Sequence, residues 1–224
     1  MPHVEIMDGQ DVTFRGGEVS VMSNLQFPNE QLVYYFEVKV EVLPTGTDLA
    51  VGISMRPYPP LRMAGWADNS VAYHTLDGGV IFSCGSTNAV AAAAGDTATM
   101  PGDTIGFGWR PRSGKLFVTR NGEFIAKHQV PWARKRLYPV VSADGPCKVS
   151  VNFGSRGFVL AKANTNCWGL APPQGLGPPP PMYGCDDESI LLAYTPLGQL
   201  EQQQRPGHSS HGSQGSSLSL GSMA

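Results

Sequence analysis

The residues that could carry chemistry are few, and their spacing suits catalysis poorly. His74 stands beside Tyr73 with Asp77 three residues on, a set that would serve general acid–base work. A lone histidine ending an apolar run is, however, far more often a hydrogen-bonded structural residue. No serine, cysteine or threonine has a base at a motif-defined spacing, and no carboxylate pair recurs. Asp186-Asp187-Glu188 reads as a solvated cluster in a polar tail. The four cysteines, Cys84, Cys147, Cys167 and Cys185, never form a C-x-x-C pair, so neither a zinc site nor a redox motif is written, and they read as reduced intracellular thiols. Gly106-Phe107-Gly108 lies in an apolar run without the following helix that a dinucleotide fingerprint needs. The sequence thus predicts no catalytic residue, no cofactor, no metal, and a protein that is not an enzyme.

Two stretches point instead to binding. Pro178-Pro179-Pro180-Pro181-Met182-Tyr183 is biased to polyproline II, which exposes a stiff face at little entropic cost. Its last four residues spell Pro-Pro-x-Tyr, the ligand pattern of WW domains, with Pro180, Pro181 and Tyr183 as the contacting residues. The plainer reading is a proline spacer that ends in tyrosine by chance. The second stretch, Arg56-Pro57-Tyr58-Pro59-Pro60-Leu61-Arg62 before Gly65-Trp66, describes a rigid surface loop rich in interface anchors. Arg56, Tyr58, Arg62 and Trp66 are its candidate partner-binding residues. Equally weighted is a structural reading in which Tyr58 and Trp66 cover an open end of the fold. Pro57-Tyr58-Pro59-Pro60 reverses the WW order and is not a second such motif.

The elements that position these stretches are strands. From about Gly16 to Phe153, short apolar or alternating runs recur between Gly, Pro, Asn and Asp signals, the pattern of an antiparallel sandwich or barrel, and no long helical period appears. Tyr34 to Val42 alternates so that Phe36, Val38, Val40 and Val42 share one face and Glu37, Lys39 and Glu41 the other. Leu49 to Ile53 and Thr104 to Trp109 read as strands whose glycines admit a close neighbour or a bulge. Asn121-Gly122 between Leu116–Arg120 and a second apolar run predicts a hairpin with a type I′ turn. Leu137 to Val141 and Lys148 to Phe153 complete the sheets across Asp144-Gly145-Pro146. Phe158 to Leu160 adds an edge strand or packs on the sandwich, and Trp168-Gly169-Leu170 seals it.

Composition agrees with one such domain and a polar tail. At 224 residues with 41% hydrophobic and 9% aromatic content, the chain can bury one good core. A net charge of -2 without long like-charge runs predicts neither nucleic acid nor an anionic membrane surface as partner. No apolar run is long enough to span a bilayer and the N-terminus has no signal sequence, so the chain as given is expected to be soluble, with no direct membrane insertion. Beyond about Gln199 the Gln, Ser, Gly and His composition predicts disorder.

Tyr35-Phe36-Glu37-Val38, Ala50-Val51-Gly52-Ile53, Gly65 to His74, Gly102-Asp103-Thr104-Ile105-Gly106, Phe117 to Gly122 and Val151-Asn152-Phe153-Gly154 occur in the order and spacing of a SPRY domain, which the chain resembles. More narrowly, Arg56 to Pro60, Ala143 to Cys147, Asn152 to Phe158, Trp168 to Pro172 and the Pro-Pro-x-Tyr-Gly are similar to the fungal SPRY adaptors of endosome-to-vacuole sorting. Two features depart from that family. A spanning helix ordinarily precedes its SPRY domain, whereas Met1 lies only a short distance before these strands. The family's Tyr-His-x-Asp-Asp-Gly reads Tyr73-His74-Thr75-Leu76-Asp77-Gly78-Gly79 here, followed by a small-residue stretch, Asn88 to Thr99, expected as a loop.

The resemblance implies an all-β, SPRY-type antiparallel β-sandwich with a Pro-rich, largely disordered C-terminal tail. The expected parts are an N-terminal extension (1–15), the sandwich with its C-terminal extension (16–170), a Pro-rich linker (171–198) and a Gln/Ser/Gly-rich tail (199–224). It further implies a non-enzymatic adaptor that binds membrane-protein cargo and recruits a WW-domain HECT-type ubiquitin ligase. Such an adaptor would be cytoplasmic, at the cytosolic face of endosomal or vacuolar membranes. The alternative is a SPRY scaffold of the Ran-binding-protein type that holds a multiprotein complex together without a ligase.

Overall fold

Alternation in Tyr34–Val42 produces the longest strand, and one sheet is assembled around it. The computed structural model describes residues 3–171 other than 29, 77, 85–86 and 93–97, and of residues 82–84 and 87–92 the backbone alone. Seven strands pair in the order β1 (Val4–Met7), β2 (Asp11–Arg15), β13 (Pro146–Asn152), β4 (Tyr34–Val42), β9 (Thr104–Arg110), β10 (Lys115–Arg120) and β11 (Glu123–Gln129). Six more pair as β3 (Val19–Met22), β12 (Tyr138–Ala143), β5 (Leu49–Ser54), β6 (Ser70–His74), β7 (Gly79–Cys84) and β8 (Thr87–Ala92). Every ladder is antiparallel.

The core lies between the sheets, where each strand turns alternate side chains inward. Phe36, Val38 and Val40 of β4 meet Ile105, Phe107 and Trp109 of β9, Leu116 and Val118 of β10, and Val51, Ile53, Tyr73 and Val141 from the opposite sheet. Val42 leaves this face. The β13–β4 register shifts between Lys148 and Val149, and the bulge turns Val42 out to 51% exposure. Asn121 and Gly122 take φ of 51° and 83°, the left-handed values of a type I′ turn, and join β10 to β11 as expected. The turn is clamped from outside. Asp103 accepts from the Arg120 guanidinium (2.6 Å) and the Asn121 amide (2.8 Å), and the Thr104 N–H donates to Asn121 Oδ1 (2.9 Å).

Three expectations change. Residues 4–15 are not an extension: β2 pairs with β13 and β1 pairs with β2, so both extend the seven-stranded sheet. Asp8 and Gly9, at φ of 51° and 67°, turn β1 into β2, while Val12 and Phe14 enter the core. Residues 87–92 of the supposed loop form β8, because main-chain pairing to β7 needs no large side chains. Glu37, placed by alternation on a solvent face, is buried, since the stretch after β13 folds back over the sheet. In that stretch Phe158 and Leu160 pack on the outer face rather than adding a strand, and a short helix, α1 (Ala161–Thr165), follows. The Trp168 carbonyl accepts the Tyr35 N–H at 2.8 Å, and the Leu170 N–H donates to Phe153 at 2.7 Å, so this stretch does seal the domain.

Candidate functional site

The proline-rich loop joins β5 to β6 and is pinned to the sheet beneath it at several points. Ser20 of β3 donates its N–H to the Pro60 carbonyl (2.8 Å) and its hydroxyl to the Arg62 carbonyl (2.5 Å). The Met63 N–H donates to the Glu18 carboxylate (2.7 Å), the Ala64 N–H to the Ser142 hydroxyl (3.0 Å), and the Gly65 N–H to the Ser70 hydroxyl (2.8 Å). A loop whose backbone is satisfied in this way presents its side chains in fixed places, which lowers the entropy lost when a partner binds.

Arg56 and Tyr58 come together in one cleft of about 300 Å³ with Ser20, Met22, Pro57 and Pro60. The Arg56 guanidinium lies 4.2 Å over the Tyr138 ring and donates to the Ser23 carbonyl at 2.8 Å, so its cation is held rigidly at the surface. Tyr58 is half-buried, and its hydroxyl donates to the Met63 carbonyl at 2.6 Å. Burial pushes this hydroxyl above its ordinary pKa, so it is a neutral donor that braces the loop. Arg62 and Trp66 do not line the cleft. Arg62 is exposed, with Glu18 3.8 Å from its guanidinium, and Trp66 is 41% exposed with its ring edge-on to His74 at 5.8 Å. Leu61, 66% exposed between Pro60 and Arg62, is an apolar contact that sequence reasoning passed over. Its position directly after the two prolines was the available signal.

His74 is wholly buried, and both ring nitrogens are engaged: Nδ1 with the Asp48 carboxylate at 2.5 Å and Nε2 with the Ala64 carbonyl at 2.8 Å. Asp48 also accepts the Leu76 N–H at 3.0 Å, and its own N–H donates to Asp144 at 2.8 Å. These bonds tie the start of β5 and the end of β6 to the turn after β12, with no face open to a substrate. Asp77 lies outside the described residues. Gly106 and Gly108 are packing positions, where a methyl would overlap the Tyr35 hydroxyl and the Phe117 ring. Cys147 is buried, and burial together with the Asp144 charge raises its thiol to about 12, which makes it unreactive. Among the described residues no cluster of His, Cys, Asp or Glu could hold a metal, and no helix is long and apolar enough to cross a membrane. Pro180, Pro181 and Tyr183 lie outside the described residues, as do Cys185 and Asp186-Asp187-Glu188; so does the side chain of Cys84.

Two antiparallel sheets thus hold a braced, proline-rich loop at their surface. Residues 33–156 match the SPRY domain family, and the chain belongs to it. It is 40% identical over 185 residues to Protein ssh4 of Aspergillus fumigatus, a match that covers 81% of this chain and 35% of that protein. A SPRY domain-containing protein of Schizosaccharomyces pombe is 37% identical over 181 residues, covering 80% of this chain and 46% of that one. The crystal structure of a human SPRY domain superposes with a TM-score of 0.56 at 26% identity, covering 67% of this chain and 95% of that one. The chain thus spans about a third to a half of the length of these two relatives. The SPRY domain is a protein-interaction fold.

Proposed function

We propose that the chain is a non-enzymatic adaptor: its SPRY sandwich binds membrane-protein cargo, and its Pro-Pro-x-Tyr motif recruits a WW-domain HECT-type ubiquitin ligase for endosome-to-vacuole sorting. The observation that carries this reading is the presence of Pro180-Pro181-Met182-Tyr183 in the same chain as a SPRY domain that resembles the fungal sorting adaptors. Ubiquitin transfer belongs to the ligase. The adaptor supplies effective concentration, turning a weak encounter of ligase and substrate into a tethered one. Cargo meets Arg56, Leu61, Arg62 and Trp66, with Tyr58 bracing the loop behind them, at the cytosolic face of endosomal or vacuolar membranes. Prolines preset the ligase-binding backbone, and Tyr183 contributes a flat apolar ring with a polar tip.

The test is titration of a peptide from Gly177 to Glu188 against isolated WW domains, beside the same peptide carrying Tyr183→Ala. Saturable binding of the first and loss of at least about tenfold in the second is expected, since burying an aromatic ring is worth more than about 1.4 kcal/mol. Equal binding of the two peptides removes the ligase from the reading.

A further inference from the structure

The outer face of the seven-stranded sheet carries a basic trough that the proposed adaptor role does not use. Pairing of β9, β10 and β11 sets Lys115 opposite Arg110 on one side and Phe117 opposite Lys127 on the other, and α1 adds Lys162 to the rim. Together with Phe124 these residues line an open trough of about 800 Å³. Its floor is aromatic: Phe124, 47% exposed, lies 5.2 Å from the Phe117 ring and carries the Lys127 ammonium 5.5 Å from its own. Arg110, Lys115, Lys127 and Lys162 have no carboxylate within ion-pair distance among the described residues, in a chain whose net charge is -2. His128 also lines the trough, but burial lowers its pKa, so near neutral pH the positive charge rests on those four side chains.

We propose that this trough is a second docking site, which takes an extended acidic segment of a partner protein with an apolar side chain beside its carboxylates. Four unpaired cations around an aromatic floor complement such a segment in both charge and shape. The same charge laid on a flat anionic bilayer could not reach a recessed floor, and four cations are too few for nucleic acid in a chain of net negative charge. β11 is the last strand of its sheet, yet its pairing with β10 shifts register between Val118 and Thr119, and Lys127 stands on it. Both features guard an edge against strand addition, so recognition runs through side chains rather than main-chain pairing. The loop of residues 56–66 joins two strands of the other sheet, which makes this site distinct from the proposed cargo surface.

The test titrates the full chain with a fluorescein-labelled peptide of alternating Glu and Leu, and with its Gln-for-Glu counterpart, at low and high salt. The acidic peptide should bind at least about tenfold more tightly than the Gln version and weaken steeply with salt. The Lys115→Glu/Lys127→Glu variant should lose that preference. If that variant unfolds early, Lys115→Gln/Lys127→Gln replaces it, with the same loss expected. Equal binding by wild type and variant overturns the proposal. So does a trough-dependent gain only for phosphatidylserine vesicles or an oligothymidylate, which would assign the surface to a membrane or to nucleic acid.

Discussion

The space between the two sheets and the part of the outer face of the seven-stranded sheet that residues 158–170 cover are both buried, but they are held by different forces. Between the sheets, aliphatic and aromatic side chains arrive from most strands in strict alternation, and the stabilisation is nondirectional burial. On the outer face Tyr35 and Phe117 occupy the room left by Gly106 and Gly108, under Phe158, Leu160, Ala163 and Trp168. There a buried Glu37 carboxylate accepts the Tyr35 hydroxyl (3.0 Å) and the N–H groups of Val159 (2.9 Å) and Leu160 (3.1 Å). The Tyr35 hydroxyl also meets Thr119 at 2.6 Å. Burial and the neighbouring Glu37 charge drive the Tyr35 pKa upward, so the tyrosine stays neutral. One core is a matter of volume, and the other of a few directional bonds converging on one charge. The difference teaches that residues 158–170 are docked by specific bonds, and that they should come away without the sandwich unfolding.

Phe107→Ala and Glu37→Ala therefore separate the two. Phe107→Ala should destabilise the whole domain by about 3–5 kcal/mol, read as a denaturation midpoint shift with every strand affected. Glu37→Ala should cost about 2–4 kcal/mol by orphaning three donors, and should show first as faster amide exchange at Val159 and Leu160. Uniform exchange across both cores in the Glu37 variant would erase the distinction. A smaller effect tests the turn that joins the strands carrying Phe117 and Phe124. Gly122→Val should cost about 1 kcal/mol or more, because a β-branched residue tolerates φ of 83° poorly and its side chain would press on the Val159 carbonyl. An unchanged midpoint would contradict the strain.

The smallest effect concerns the clamp outside that turn. Burial alone would raise the Asp103 pKa, but the Met100 N–H, the Asn121 amide and the Arg120 guanidinium outweigh it and hold the carboxyl below its ordinary 3.8. A carboxyl depressed by folding adds stability that is complete above 3.8 and lost as pH falls through its lower folded value. Thermal melts should therefore show an acid-limb loss below that pH, and Asp103→Asn should flatten it. An acid limb identical in the two proteins would assign the loss to other carboxylates.

Much of the inner core was legible because its rule is local. Phe36, Val38 and Val40 alternate within one strand, and Asn121-Gly122 carries its turn chemistry in two residues. The burial of Glu37 was not legible, since its donors are Val159 and Leu160, more than a hundred residues on, and alternation sends it to solvent. Asp8-Gly9 carried a turn signal of the same kind as Asn121-Gly122, but the strands it joins are four and five residues long, and β2 finds its outside partner in β13, at the far end of the domain. In the loop of residues 56–66 the prolines and aromatics were readable, and the geometry divides them. Tyr58 turns inward to brace, while Arg56, Leu61, Arg62 and Trp66 face out, because the polar groups that pin the loop (Glu18, Ser20 and Ser142) come from remote stretches.

The proposed function requires two separable contacts, a ligase contact through Tyr183 and a cargo contact through the braced loop. Calorimetric titration of a tandem WW protein into the full chain tests it most directly, with wild type, Tyr183→Ala and Arg62→Ala/Trp66→Ala compared at matched thermal midpoints. The account predicts that Tyr183→Ala abolishes the binding heat while the loop variant binds as wild type does. Wild-type binding that survives Tyr183→Ala, or that falls with the loop variant, would contradict it.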